Sequence, residues 1–135
     1  MIDKAEQHLR IYVDGMLHYV FPVSTGRRGY ETPSGTFRPT LLLRMHYSRR
    51  YHRAPMPHSI FFTYHGHAIH GTTEVRNLGR AASHGCVRLA PEAARRLFEM
   101  VQRYGVDNTT IRVTSGARSS RDSEPEIRGG LRGTC

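Results

Sequence analysis

The sequence predicts an all-β or β-rich α+β domain. Three observations carry that class. Apolar residues alternate from Leu9 to Val23 around one tight turn, short apolar runs follow between Gly- and Pro-containing loops, and a single amphipathic helical stretch begins at Pro91. With 135 residues the chain is long enough for one domain with its own core, and short for two. Apolar residues make up 38% and charged residues 23% of it, an apolar share low enough to suggest a disordered end. Residues 1–116 are expected to form the domain. Residues 117–135, with Ser119-Ser120, Gly129-Gly130 and mixed charge, are expected to form a disordered tail.

Leu9, Ile11 and Val13 alternate with Arg10 and Tyr12, and Leu17, Tyr19, Phe21 and Val23 resume the pattern after Asp14-Gly15, so residues 8–23 read as a β-hairpin. Ser24 to Ser34 reads as loop, Gly35 to Arg38 as a strand that ends before Pro39, and Leu41 to Leu43 as a short strand. Residues 46–58, polar, aromatic and Pro-containing, read as a long loop between strands, and loops of that length tend to be functional. Strands are expected over Ser59–Tyr64 and His67–His70 around a His65-Gly66 turn, with His70 at a strand end. Pro91 suits the first turn of a helix that runs to Tyr104, with Ala94, Leu97, Phe98, Val101 and Tyr104 on its inward face and Gly105 at its end. Thr110 to Thr114 reads as the closing strand.

The formal charge of +9 and pI near 10.4 favour a polyanionic partner. The arginines are scattered, with no nucleic-acid reader motif, so a nucleic acid is not expected. No stretch approaches the roughly 20 apolar residues of a membrane span, and Met1-Ile2-Asp3-Lys4 opens no secretory signal.

Chemistry concentrates in Ser83-His84-Gly85-Cys86-Val87-Arg88, with His70-Gly71-Thr72 upstream. A thiol attacks as thiolate, and a cysteine with a pKa of about 8.5 needs a base or a positive environment to supply one near neutrality. His70 and His84 are both candidate bases, and either could come within reach of Cys86. Gly85 allows close backbone approach, the N–H groups of the turn can face an oxyanion, and Val87 is expected to anchor the turn in the core. Arg88 offers a donor fork for a carboxylate. The histidines and Cys86 also form a metal-ligand inventory, but no pair has HExxH or CxxC spacing, so no metal or cofactor is expected. The second cysteine, Cys135, ends a Gly-rich stretch. A disulfide with Cys86 would silence the nucleophile, so none is expected.

The run Ile69-His70-Gly71-Thr72, Gly79-Arg80 and Ser83 to Leu89 resembles the signature of the L,D-transpeptidase (YkuD-type) catalytic domain. The likeness continues through Pro22-Val23-Ser24-Thr25-Gly26 and Tyr30 to Phe37, and covers roughly residues 8 to 114. Many members carry Asn where this chain has Arg88. The resemblance implies a β-sandwich of mixed sheets with the helix against one side. It implies Cys86 as nucleophile, His70 as general base with the Gly71 carbonyl on its other ring nitrogen, and His84 and Gly85 beside the oxyanion. It implies substrate contacts at Ser83, Gly71 and Arg88, and at Tyr47 and Tyr51 of a substrate-covering flap. The implied partners are peptidoglycan stem peptides and a second stem or wall-attached protein as acceptor, handled by a monomer in the periplasm or cell envelope. Water as acceptor would make the same site an L,D-carboxypeptidase, and a non-catalytic, basic wall-binding module is the alternative from another class.

Overall fold

A computed structural model describes residues 1–48 and 53–116. Among these, nine strands and one α-helix are formed, and the strands make two sheets. In chain order the strands are β1 (Ile2–Asp3), β2 (His8–Val13), β3 (Met16–Pro22), β4 (Gly35–Phe37), β5 (Leu41–Tyr47), β6 (Pro55–Phe61), β7 (Ala68–Gly71), β8 (Val87–Leu89) and β9 (Ile111–Thr114), with α1 (Pro91–Tyr104) between the last two. One sheet has the order β3-β2-β1-β9-β4 and the other β5-β6-β7-β8. Both are mixed, because β1 pairs parallel with β9 and β7 parallel with β8. The strand-rich class with a single helix is as the sequence predicts.

The β2–β3 hairpin turns at Asp14-Gly15, where φ is 52° and 80°, the doubly left-handed geometry that suits Asp-Gly in a two-residue hairpin. Two expectations need correction. Both ends of the 46–58 stretch are paired strand, since β5 runs on to Tyr47 opposite Pro55 of β6, so the connection is shorter than expected and spans 48–54. The prolines misled because they mark an edge: β7 pairs with Ile60 and Phe61 alone, so Pro55 and Pro57 lie where β6 needs no N–H for a second neighbour. Tyr104, expected inside, is 47% exposed because the helix ends there, while Ala93 is buried with Ala94, Phe98 and Val101. Strand β1 has no sequence signal, since two residues cannot show an alternation.

The alternation of β7 and β8 sorts their side chains onto two faces. Ile69, Val87 and Leu89 enter the main core, which joins Ile2, Leu9, Ile11, Val23, Ile60, Ile111 and Val113 of the strands and Phe98 and Val101 of the helix. Ala68 and Cys86 belong to a separate cluster with Met56 and Phe61. Val87 has no exposed surface and anchors the motif as expected. The core thus holds alternate residues of β7 and β8 rigidly and leaves the intervening ones for chemistry.

Phe98 is the largest helix side chain in this core, 1% exposed and edge-on to His58 at 5.3 Å. Phe98→Ala is expected to cost about 3–5 kcal/mol of unfolding free energy, read from urea denaturation, because it leaves a cavity between helix and sheet.

Candidate active site

Strands β7 and β8 run parallel, with His70 in register with Arg88 and Ile69 with Val87. Residues in register share a face, and Cys86 stands two positions before Arg88, so Cys86, His70 and Arg88 project from the same side of the sheet. The backbone N–H of Ala68, on the same strand as His70, donates to Cys86 Sγ at 3.2 Å. This arrangement puts Cys86, just before β8, and His70, on β7, on one face of the paired strands.

His70 is 6% exposed, and its Nδ1 lies 2.7 Å from the Gly71 carbonyl oxygen. A carbonyl only accepts, so Nδ1 carries the proton and Nε2 presents its lone pair. Burial, followed by repulsion from Arg88 and His46, pushes the His70 pKa down to about 4, against the opposing effect of the Gly71 hydrogen bond. The ring is neutral near pH 7 and can take up a proton. His84 is less enclosed, its ring edge-on to Tyr30 at 5.3 Å, and its pKa is lowered by burial and by Arg27 and Arg88. Arg27 in turn lies over the Tyr30 ring at 4.8 Å, so Tyr30 carries a cation on one side and His84 on another.

The turn before β8 is tightly tied. Ser83 is buried, its hydroxyl donates to the Cys86 carbonyl at 2.6 Å and accepts from Gly85 N–H at 3.0 Å. Ser83 therefore ties the turn together, and the Gly85 N–H, expected at an oxyanion, is engaged inside it. Gly85 has φ of 131°, where a side chain would be strained, so the turn needs glycine there. Gly71 contributes its carbonyl to His70 and sits against Ala94 of the helix, where an added Cβ would come within 3.2 Å.

Arg88 is half-buried. Its guanidinium lies 3.7 Å from the Glu74 carboxylate, its pKa lowered by burial and partly restored by that partner. Glu74, unremarkable in sequence, is thereby part of the site mouth. Of the expected flap residues, Tyr47 is 47% exposed with Arg53 over its ring at 5.8 Å, and Tyr51 lies outside the described residues. Sequence reasoning assigned no role to Gln7, Thr25 or Thr32, all buried and hydrogen-bonded toward the nucleophile turn. Thr25 and Thr32 lie in the Val23-Ser24-Thr25-Gly26 and Thr32-Pro33 runs, but nothing local to them or to Gln7 marks these contacts.

One expectation about the thiol is corrected. Cys86 is disulfide-bonded in the structure. The case against a disulfide was that a bonded sulfur cannot attack a carbonyl, but a chemistry needed in the reduced state does not forbid the oxidised one. Cys135, the other cysteine of the chain, lies outside the described residues.

A cysteine that shares a sheet face with an oriented histidine and is preceded by a glycine turn is an arrangement that cysteine acyl transfer can use. The L,D-transpeptidase catalytic domain (YkuD) matches residues 1–119, and the chain belongs to that family. It is 30% identical over 124 residues to the probable L,D-transpeptidase ErfK/SrfK of Escherichia coli K12 and 32% identical over 126 residues to the probable L,D-transpeptidase YbiS of the same strain, in each case 75% of this chain and 40% of the relative. The chain thus spans well under half the length of these relatives. Among solved structures it resembles an L,D-transpeptidase of Stackebrandtia nassauensis (TM-score 0.70, 29% identity, 83% of this chain and 52% of that one). It has the fold of one from Mycobacterium smegmatis (TM-score 0.75, 24% identity, 83% and 56%).

Two buried neutral histidines make stability depend on pH. His67 is fully buried, its Nδ1 is 2.8 Å from Thr63 Oγ1, and its Nε2 has no partner among the described residues. Burial, then repulsion from His65, pushes its pKa to about 4, like that of His70. The unfolded chain binds these protons near pH 6.5 and the folded one only near 4, so folding loses stability as pH falls from about 6.5 to about 4 and is insensitive to these groups above it. Each ring contributes a slope of up to about 1.4 kcal/mol per pH unit. The urea midpoint should therefore fall between pH 7 and pH 5, and an unchanged midpoint would contradict the burial of both rings.

Proposed function

We propose that the chain is the catalytic domain of a peptidoglycan L,D-transpeptidase acting through Cys86. The observation that supports this reading is the 2.7 Å contact between His70 Nδ1 and the Gly71 carbonyl, which leaves Nε2 unprotonated on a residue that shares its sheet face with Cys86. In the reduced protein His70 takes the thiol proton. The Cys86 thiolate then attacks the carbonyl on the C-terminal side of the L-centre of the diamino acid in a tetrapeptide stem. The carbon–nitrogen bond to terminal D-alanine breaks, its amine leaves with the proton held by His70, and a thioester remains. An amine of a second stem or of a wall-attached protein resolves the thioester, and water in its place gives carboxypeptidase activity.

The surroundings suit an anionic stem. Arg88, at the site and only weakly paired with the well-exposed Glu74, can exchange that partner for a substrate carboxylate. The net charge of +9 draws a polyanionic wall. No α-helix among the described residues is long and apolar enough to cross a membrane. The site belongs with a substrate in the periplasm or cell envelope, reached by a monomer whose domain is residues 1–116. An LD transpeptidase of the same fold and 22% identity has been solved in complex with imipenem, which offers a probe.

The test is incubation with muropeptides followed by mass spectrometry, with and without prior reduction by a dithiol. Reduced protein should release D-alanine and form dimers, and imipenem should add once, at Cys86. Unreduced protein should do neither, because its sulfur is bonded. Loss of D-alanine without dimers would favour the carboxypeptidase, and folded, reduced protein inert to both reagents would leave a non-catalytic wall-binding module.

A further inference from the structure

We propose that Thr32 is a positioning residue that fixes the Gly85–Cys86 peptide plane and so aims the amide N–H of Cys86 as an oxyanion donor. The proposal rests on the acyl-transfer reading above and assigns part of its machinery. Thr32 belongs to a loop, yet it has no exposed surface. Its hydroxyl lies 2.9 Å from the Gly26 nitrogen and 2.8 Å from the Gly85 carbonyl oxygen. Gly26 N–H can only donate and the Gly85 carbonyl can only accept, so the single Thr32 proton goes to Gly85. The direction of both bonds is fixed. Lys4 Nζ donates to the Thr32 carbonyl at 2.6 Å and ties the loop itself to the first strand region.

In a trans peptide the carbonyl and the following N–H point in opposite directions, and the described backbone has no cis peptide bond. Holding the Gly85 oxygen toward Thr32 therefore turns the Cys86 N–H the other way, out of the buried loop. The neighbouring groups are held as well, because Ser83 Oγ accepts from Gly85 N–H and donates to the Cys86 carbonyl. With Gly85 N–H engaged, the Cys86 N–H is the donor whose orientation Thr32 controls. Glycine at 85 is the residue whose backbone rotates most easily, so without the Thr32 hydroxyl the plane can flip and present a carbonyl to a developing negative charge.

The experiment separates thiolate chemistry from oxyanion stabilisation in reduced wild type, Thr32→Val and Thr32→Ser. Alkylation of Cys86 by iodoacetamide needs the thiolate but no oxyanion donor, whereas acylation by imipenem needs both. Thr32→Val should slow acylation by at least about tenfold, toward the 10²–10³ typical of a lost donor, while alkylation stays within about twofold. Thr32→Ser, which keeps the hydroxyl, should restore acylation. If Thr32→Val does not fold by circular dichroism, Thr32→Ala carries the same comparison. Equal loss of both rates would make Thr32 merely structural, and loss of neither would remove it from the machinery. Wild type that is alkylated yet never acylated would sink the acyl-transfer reading itself, and this proposal with it.

Discussion

Two backbone hydrogen bonds, from Ser24 N–H to the Arg88 carbonyl at 3.0 Å and from Arg88 N–H back to the Ser24 carbonyl at 2.9 Å, splice the end of the first sheet onto β8 of the second. The splice continues through Ser83 N–H to the Thr25 carbonyl and Arg27 N–H to the Ser83 carbonyl. Behind it, Gln7 holds Thr25 by both ends of its amide, at 2.7 Å to the hydroxyl and 3.0 Å from the N–H. Gln7, Ser24, Thr25, Thr32 and Ser83 are all at most 5% exposed. A buried polar network of this kind is costly if half satisfied and rigid if complete. Here it is paired at each of these side chains, and the turn that leads into Cys86 inherits its rigidity.

The site is consequently built on core strands, with Cys86 2% and His70 6% exposed. Val87 and Leu89 are locked among the strands and helix, while Cys86 and Arg88 alternate onto the other face with His70. Electrostatics add to geometry there. His70 stays neutral because burial opposes its protonation, and repulsion from Arg88 and His46 adds to that. Once the sulfur ionises, its charge favours the imidazolium, and proton transfer within the pair becomes easier.

Much of this was legible in the sequence because local pattern and tertiary role agree. The Leu9–Val23 alternation, the Asp14-Gly15 turn and the helix from Pro91 to Tyr104 each follow a period that their burial enforces. The motif residues Cys86, His70 and Arg88 were legible as a group through spacing and chemistry. What was hidden lies in contacts between distant segments. Thr32 to Gly85 and Gln7 to Thr25 join residues whose own neighbourhoods say only loop or strand start. The two bonds of Ser83 within the turn likewise depend on a backbone path that no local pattern encodes. The prolines of β6 read as loop because proline excludes a strand centre but not an open edge.

The central claim is that His70, and not His84, takes the proton from Cys86. The pH dependence of Cys86 alkylation by iodoacetamide in reduced wild type, His70→Ala and His84→Ala tests it, with circular dichroism confirming the fold of each. His70→Ala should move the titration toward that of a free thiol, near pH 8.5, and slow acylation by roughly the 10²–10⁴-fold of a lost general base. His84→Ala should leave the titration close to wild type. If His84→Ala abolishes the low-pH reactivity while His70→Ala preserves it, the hydrogen bond to Gly71 orients the wrong histidine and the account fails.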